Sequence, residues 1–315
     1  MRVAVLGAGA MGSWFGGKLA LQGHEVELLT TNEAHAAAVR ENGLVMHEHS
    51  GSNERQAPVS IRLEAAAPEH FSGDAELIIV LTKSFQTQTA MASIADQLKD
   101  NTAVLTLQNG LGNADAIRKF VKPQNIWVGM SMMPVDRLAP GVVASRGTGK
   151  TRFGHLDGLH HLLGDQIAEA FSLTGMDVRH DPQVRQHIWQ KVAFNAGMNA
   201  LCALTHGTPG TVGQLSEGRD LARSVATEVA ALAAAEGVPF SLEAVFETIA
   251  YACEHHGTHK ASMLQDLLSG RRTEVDALNG AIVALGHRHD IATPLNATLA
   301  TLVRMAELGN HSGNE

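Results

Sequence analysis

Gly7-Ala8-Gly9-Ala10-Met11-Gly12 stands between an apolar strand pattern over residues 2–6 and an apolar helical stretch that runs to Gly23. No other feature restricts the fold as strongly. In a strand, loop, helix context the first glycine permits a tight turn and the second lets the backbone approach a pyrophosphate. The third lets helix and strand pack closely, and N–H groups at the helix start face the phosphates. A glycine-rich turn alone would carry little meaning; the strand before and the helix after predict a dinucleotide site over Gly7, Ala8, Gly9, Ala10, Met11 and Gly12.

The same alternation continues. Residues 2–6, 25–29, 76–82, 102–107 and 126–132 read as strands, several apolar nearly throughout, as strands buried on both faces are. Weaker extended runs at 142–145 and 151–155 precede a helix near 160–173 and a last strand near 176–180, before Asp181-Pro182 breaks the chain. Beyond it the pattern turns to Ala- and Leu-rich helical spacing, interrupted at Gly237-Val238-Pro239, Gly257 and Thr293-Pro294. The chain is therefore expected to be α/β over residues 1–181, with a parallel sheet covered by helices, and all-helical over residues 182–315. The polar stretch Glu48 to Gln56 reads as a surface hairpin.

The 315 residues suit two domains. With 24 Lys and Arg against 32 Asp and Glu, the net charge of −8 offers no broad cationic surface, so nucleic acid is not an expected partner. No apolar run approaches the roughly 20 residues of a membrane span, and no signal-peptide pattern is read at the N-terminus. Cys202 and Cys253 form neither a disulfide framework nor a zinc knuckle. These readings place the chain in the cytoplasm. No metal site is expected either: His255-His256-Gly257-Thr258-His259 looks like a helix end and has no second ligand cluster.

Cofactor choice is read at the end of the second strand, where an acid holds a ribose 2′-OH and a cation accepts a 2′-phosphate. Thr31 and Asn32 offer groups that can bond a phosphate. Glu33 is either the ribose acid or a first-turn helix residue favoured by the helix dipole. Lys83 follows the strand over 76–82, where a cation can reach cofactor phosphates or ribose, or is simply a solvated loop lysine.

The helical half contains the most informative segment. Lys191, Asn195 and Asn199 recur at i, i+4 and i+8 in otherwise apolar sequence, so they share one helical face. Buried without partners they would cost several kcal/mol, so the face is expected to line a polar cavity rather than meet solvent. A partly desolvated lysine loses some preference for its charged form and becomes a proton donor near neutral pH, as carbonyl reduction requires. Asn109, in Gln108-Asn109-Gly110, ends an apolar strand at the edge where open α/β sheets bind ligands, although Asn-Gly is also an ordinary turn. Glu274 lies among arginines that could simply solvate it.

Taken in order, Gly7 to Gly12, Thr82-Lys83, Gln108-Asn109-Gly110, Trp189-Gln190-Lys191 with Asn195 and Asn199, Ser262-Met263-Leu264-Gln265-Asp266 and Thr273-Glu274-Val275-Asp276 make the sequence resemble the ketopantoate reductase family along nearly its whole length. The resemblance implies a Rossmann-type domain followed by an all-α domain, NADPH as reductant with NADH left open, and reduction of 2-dehydropantoate to pantoate in pantothenate biosynthesis. It implies Lys191 as general acid and Glu274 as its catalytic partner. Asn109, Asn195, Asn199 and Ser262 would bind substrate, and Thr31, Asn32, Lys83 and Asn109 would join the glycine loop around the cofactor. A small-molecule 2-oxo acid is the expected partner, and a homodimer is compatible with it. Two positions depart from the family pattern: Thr31 where some members carry Arg, and Pro209-Gly210 where an Asn-Gly contributes to the substrate pocket. The alternatives are a reductase of a related branched 2-oxo acid, a hydroxy-acid dehydrogenase, or a redox sensor that binds NADP(H) without turnover. A sensor has no need of a proton donor.

Overall fold

The computed structural model describes residues 1–48, 57–147 and 149–312. The chain forms two compact units, one of residues 1–108 with 113–184, the other of residues 109–112 with 185–315. Among the described residues no helix is long and apolar enough to cross a membrane.

The first unit begins β1 (Arg2–Leu6), α1 (Ala10–Leu21), β2 (Glu25–Leu29), α2 (Glu33–Asn42), β3 (Leu44–Glu48), β4 (Val59–Ile61), β5 (Glu64–Ala66) and β6 (Leu77–Val80). It continues through α3 (Thr87–Ile94), β7 (Ala103–Thr106), α4 (Asn113–Ile117), β8 (Ile126–Ser131), β9 (Val135–Ala139), β10 (Val142–Ser145), β11 (Lys150–His155), α5 (Leu162–Ala170) and β12 (Asp177–His180). Eight strands make one sheet in the order β12-β11-β8-β7-β6-β1-β2-β5. Its neighbours run parallel except β11, which pairs antiparallel with β8. The central strands β6, β7 and β8 are buried along their whole length, which is why they read as unbroken apolar runs.

A second, four-stranded sheet, β4-β3-β10-β9, corrects the sequence reading, in which β3, β4, β5 and β9 had no counterpart. β4 and β9 are short edge strands with mostly exposed side chains, so they lack the apolar alternation that marks a strand. Helix α1 packs against both sheets: a Cβ on Gly16 would strike Leu28 of β2, and one on Gly17 would strike Met46 of β3. The hairpin expected over Glu48 to Gln56 lies, beyond Glu48, outside the described residues.

The second unit is helical: α6 (Val184–Thr205), α7 (Pro209–Gln214), α8 (Ser216–Ala235), α9 (Leu242–His255), α10 (Ser262–Leu268), α11 (Ala281–His289) and α12 (Pro294–Ser312). A π-helical turn, Asp276–Gly280, leads directly into α11. Its own core includes Val192, Ala196, Val225, Val229, Ile249 and Val303.

Candidate active site

In the first unit the glycine loop has the shape expected from its spacing. Gly7 sits at φ +99°, and a Cβ there would lie 2.3 Å from the Thr82 nitrogen. At Gly12 a Cβ would lie 2.3 Å from the Gly7 carbonyl oxygen, so both positions are closed to side chains by neighbouring backbone. At Gly9 a Cβ would meet nothing within 4 Å. The loop is thus tight where it packs and open at its middle glycine, beside the start of α1, whose first N–H groups have no partner within the helix. Such a cradle fits a pyrophosphate.

The loop is braced from below by a chain that sequence reading missed. Gly141 N–H donates to His35 Nδ1 at 3.0 Å, which leaves Nε2 to donate to Ser13 Oγ at 2.9 Å, and Ser13 donates to the Ala8 carbonyl at 3.3 Å. His35 is fully buried. Burial, reinforced by Arg137, holds its pKa below the usual histidine value, consistent with the neutral tautomer these bonds require. No motif signals this arrangement, because one of its partners is backbone from the β9–β10 turn.

At the end of β2, Asn32 caps α2 by accepting from His35 N–H at 2.9 Å, and Glu33 is the first residue of that helix. Glu33 pairs with Arg40 at 2.6 Å, so the acid and the nearest downstream cation engage each other. Thr31 and Asn32 are exposed, and Lys83 is half-buried. Beside Lys83, Gln108 Nε2 donates to the Thr82 carbonyl at 2.8 Å and to Thr87 Oγ1 at 2.8 Å, fixing the ends of β6 and β7 together.

The second unit assembles the remaining expected residues. Lys191, Asn195 and Asn199 occupy successive turns of α6; the two asparagines are only 7% and 8% exposed, and Lys191 is half-buried. Glu274 is 7% exposed. It is not a solvated partner of arginines: that place belongs to Asp276, which accepts from Arg272 and Arg304, each at 2.9 Å. Burial pushes the Lys191 ammonium down to about 8, while the negative charge of Glu274 acts in the opposite direction.

Asn109 Nδ2 donates to Glu274 Oε2 at 3.2 Å across 165 residues of sequence. The contact depends on the following glycine. Leu111 N–H donates to the Ala277 carbonyl at 2.8 Å, Gly110 adopts φ +84°, and a Cβ on it would stand 2.3 Å from that same carbonyl oxygen. Residues 109–112 can lie flat on the π-helical turn only because position 110 has no side chain.

A small recess is lined by Asn199, Ser262, Met263, Asp266, Glu274 and Leu278. Asn199, Ser262 and Glu274 therefore meet there, with Asn109 joined through Glu274. Asp266 was not among the expected site residues. It is 3% exposed and accepts from Arg271 Nε at 3.1 Å, and its spacing of four from Ser262 is the signal that pairs them. Beneath the stripe, Asn279 Nδ2 donates to the Ala196 carbonyl at 2.9 Å and to Asn296 Oδ1 at 3.0 Å, tying the π-helical turn to α6. Pro209 is buried in the first turn of α7, capped by Thr208, and does not line the recess.

Residues 3–158 match the family described as Ketopantoate reductase PanE/ApbA, and residues 183–307 match Ketopantoate reductase PanE/ApbA C terminal. A 2-dehydropantoate 2-reductase of Halobacterium salinarum is 36% identical over 307 residues, covering 98% of this chain and 99% of the relative. Among solved structures, D-mandelate dehydrogenase in a ternary structure with NADH and anilino(oxo)acetate has TM-score 0.92 and 30% identity, covering 99% of this chain and all of the other. A PanE/ApbA family ketopantoate reductase from Ralstonia eutropha JMP134 has TM-score 0.88 and 31% identity, with 99% and 100% covered. With both halves matched in order and relatives aligned end to end, the chain belongs to the ketopantoate reductase family.

Proposed function

We propose that this protein reduces a 2-oxo acid to the 2-hydroxy acid with NADPH, ketopantoate to pantoate being the leading reaction. Residues 1–181 would hold the dinucleotide and residues 182–315 the substrate. The observation that carries the reading is the half-buried Lys191 opposed by a buried, Asn109-bonded Glu274. When bound, the reduced nicotinamide supplies a hydride. The chain supplies the rest: Lys191 gives a proton from Nζ to the carbonyl oxygen as negative charge develops there, forming an O–H bond while its own N–H bond breaks. Glu274 favours the charged, proton-bearing form of Lys191, and the Asn109 amide fixes one oxygen of that carboxylate. Asn195, Asn199 and Ser262 orient the substrate through neutral hydrogen bonds. Gly7 to Gly12 hold the pyrophosphate, with Thr31, Asn32 and Lys83 toward the rest of the cofactor.

A second reading has a specific basis. D-mandelate dehydrogenase in the matched structure holds NADH and an aryl-substituted oxo acid. Here no cation stands at Thr31, and Arg40 is tied to Glu33. An NADH-accepting reductase of a 2-oxo acid without a distal hydroxyl would fit the same residues. Comparing kcat/KM for ketopantoate and 2-oxoisovalerate, with each cofactor, separates the two. The first reading expects ketopantoate with NADPH to lead, and a tenfold preference for 2-oxoisovalerate would remove the pantothenate assignment while sparing the chemistry. The reading extends to a cytoplasmic homodimer, whose mass light scattering would give.

A further inference from the structure

Outside the glycine loop, the first unit gathers histidine rings around one indole. Trp127 of β8 has its ring centroid 5.1 Å from that of His155, 5.9 Å from His161 and 5.6 Å from His180. None of these groups takes part in the reaction proposed above.

His155 is the informative member. Its Nε2 lies 3.0 Å from the Gln124 carbonyl oxygen, an acceptor only, so Nε2 carries a proton. Its Nδ1 lies 2.7 Å from Asp157 Oδ1, on a side chain only 5% exposed. The Asp157 N–H also points to that Nδ1, at 3.4 Å, as it would to a lone pair. In the neutral ring, then, a lone pair and a carboxylate oxygen face each other at hydrogen-bond distance, and a positive centre is required between them: a proton or a metal ion. The same carboxylate lies 3.0 and 3.2 Å from His161 Nε2, and the two imidazole centroids are 4.1 Å apart.

Ligands 2.0–2.1 Å from a tetrahedral Zn²⁺ stand about 3.3 Å from one another, near the 3.0 and 3.2 Å already present between Asp157 and His161. The 2.7 Å between His155 and Asp157 is hydrogen-bond length, so an ion there requires the exposed Asp157 carboxylate to move outward by about 0.6 Å. An Nε2–H held by a backbone carbonyl is also the usual outer partner of a metal-ligating histidine, because it fixes the tautomer and turns the other nitrogen toward the metal. Two imidazoles and one carboxylate suit zinc and its neighbours rather than magnesium or calcium. We propose that His155, Asp157 and His161 form a binding site for a divalent transition-metal ion of the zinc class, clamping the end of β11 to the start of α5. His161 is the residue preceding α5 and makes no side-chain cap to it, so its ring is committed to Asp157 instead.

A neighbouring trio, His160, Asp165 and His180, has a similar composition but lacks the fixed outer partner: His180 Nε2 is buried without a hydrogen-bond acceptor. The first trio is therefore the site. The sequence reading weighed only His255 to His259 and expected no metal.

The test is calorimetric titration of the untagged full-length protein with Zn²⁺. One saturable site is expected, weakened at least tenfold by Asp157→Asn and by His161→Ala and unchanged by His160→Ala or His256→Ala. Asp157 is exposed, and NADPH titration of each variant checks that it is folded. Absence of saturable binding in the wild type, with His155 found doubly protonated by NMR at the same pH, would assign the positive centre to a proton and overturn the proposal. Zn²⁺ binding that survives both Asp157→Asn and His161→Ala would overturn it equally.

Discussion

Lys191 is set by two opposed influences, burial that disfavours its charge and a carboxylate that favours it, with burial the larger. Below about 8 it is protonated, as the proposed role of general acid requires, and above that value it is not. kcat/KM for reduction is therefore expected to be level through neutral pH and to fall as pH rises through about 8, which initial rates across pH would read. Glu274→Gln removes the opposing charge while keeping the shape, so the fall should move to lower pH; an unmoved profile would mean that Glu274 does not act on Lys191. At the cofactor end, Thr31→Arg should raise the ratio of kcat/KM with NADPH to that with NADH by about tenfold, because a guanidinium there would accept a 2′-phosphate.

The glycines of the two loops differ in what surrounds them, and their substitutions should differ accordingly. Gly9→Ala places a methyl in open space at an ordinary φ, so thermal unfolding should change by less than about 0.5 kcal/mol while NADPH binding weakens. Gly110→Ala forces a side chain into φ +84° and against the Ala277 carbonyl; denaturant melts should show a loss of roughly 1 to 3 kcal/mol, and KM for the oxo acid should rise as Asn109 leaves Glu274. The elements themselves were unevenly legible. β1, β2 and β10 could be read to their last residue, because each is a compact apolar or β-branched run bounded by turn residues. The four-residue spacing of Lys191, Asn195 and Asn199 marked α6 as more than a core helix. β4 and β9 were illegible because exposed edges need no apolar pattern. The bond between Asn109 and Glu274 was illegible as geometry, because it joins residues 165 apart and depends on how Gly110 lies on the π-helical turn. The His35 to Ser13 brace escaped because its direction is set by a backbone N–H.

At the scale of the whole molecule, each unit has its own apolar core and its own set of polar residues. The first presents a glycine cradle braced by a neutral, buried histidine. The second presents a half-buried lysine, a buried glutamate and uncharged amides. A dinucleotide-binding regulator would account for the cradle alone, whereas the proposed proton transfer would also account for a half-buried lysine opposed by a buried glutamate. The most direct measurement is ketopantoate-dependent NADPH oxidation at pH 7 by the wild type and by Lys191→Ala, with NADPH affinity determined for both. Turnover is expected in the wild type, with a fall in kcat of about 10² to 10⁴-fold in the variant, equivalent to roughly 3 to 5 kcal/mol of barrier, and nearly unchanged NADPH binding. A variant that turns over near the wild-type rate would contradict the assignment of the proton to Lys191, and a wild type that binds NADPH but reduces no 2-oxo acid would contradict the reductase itself.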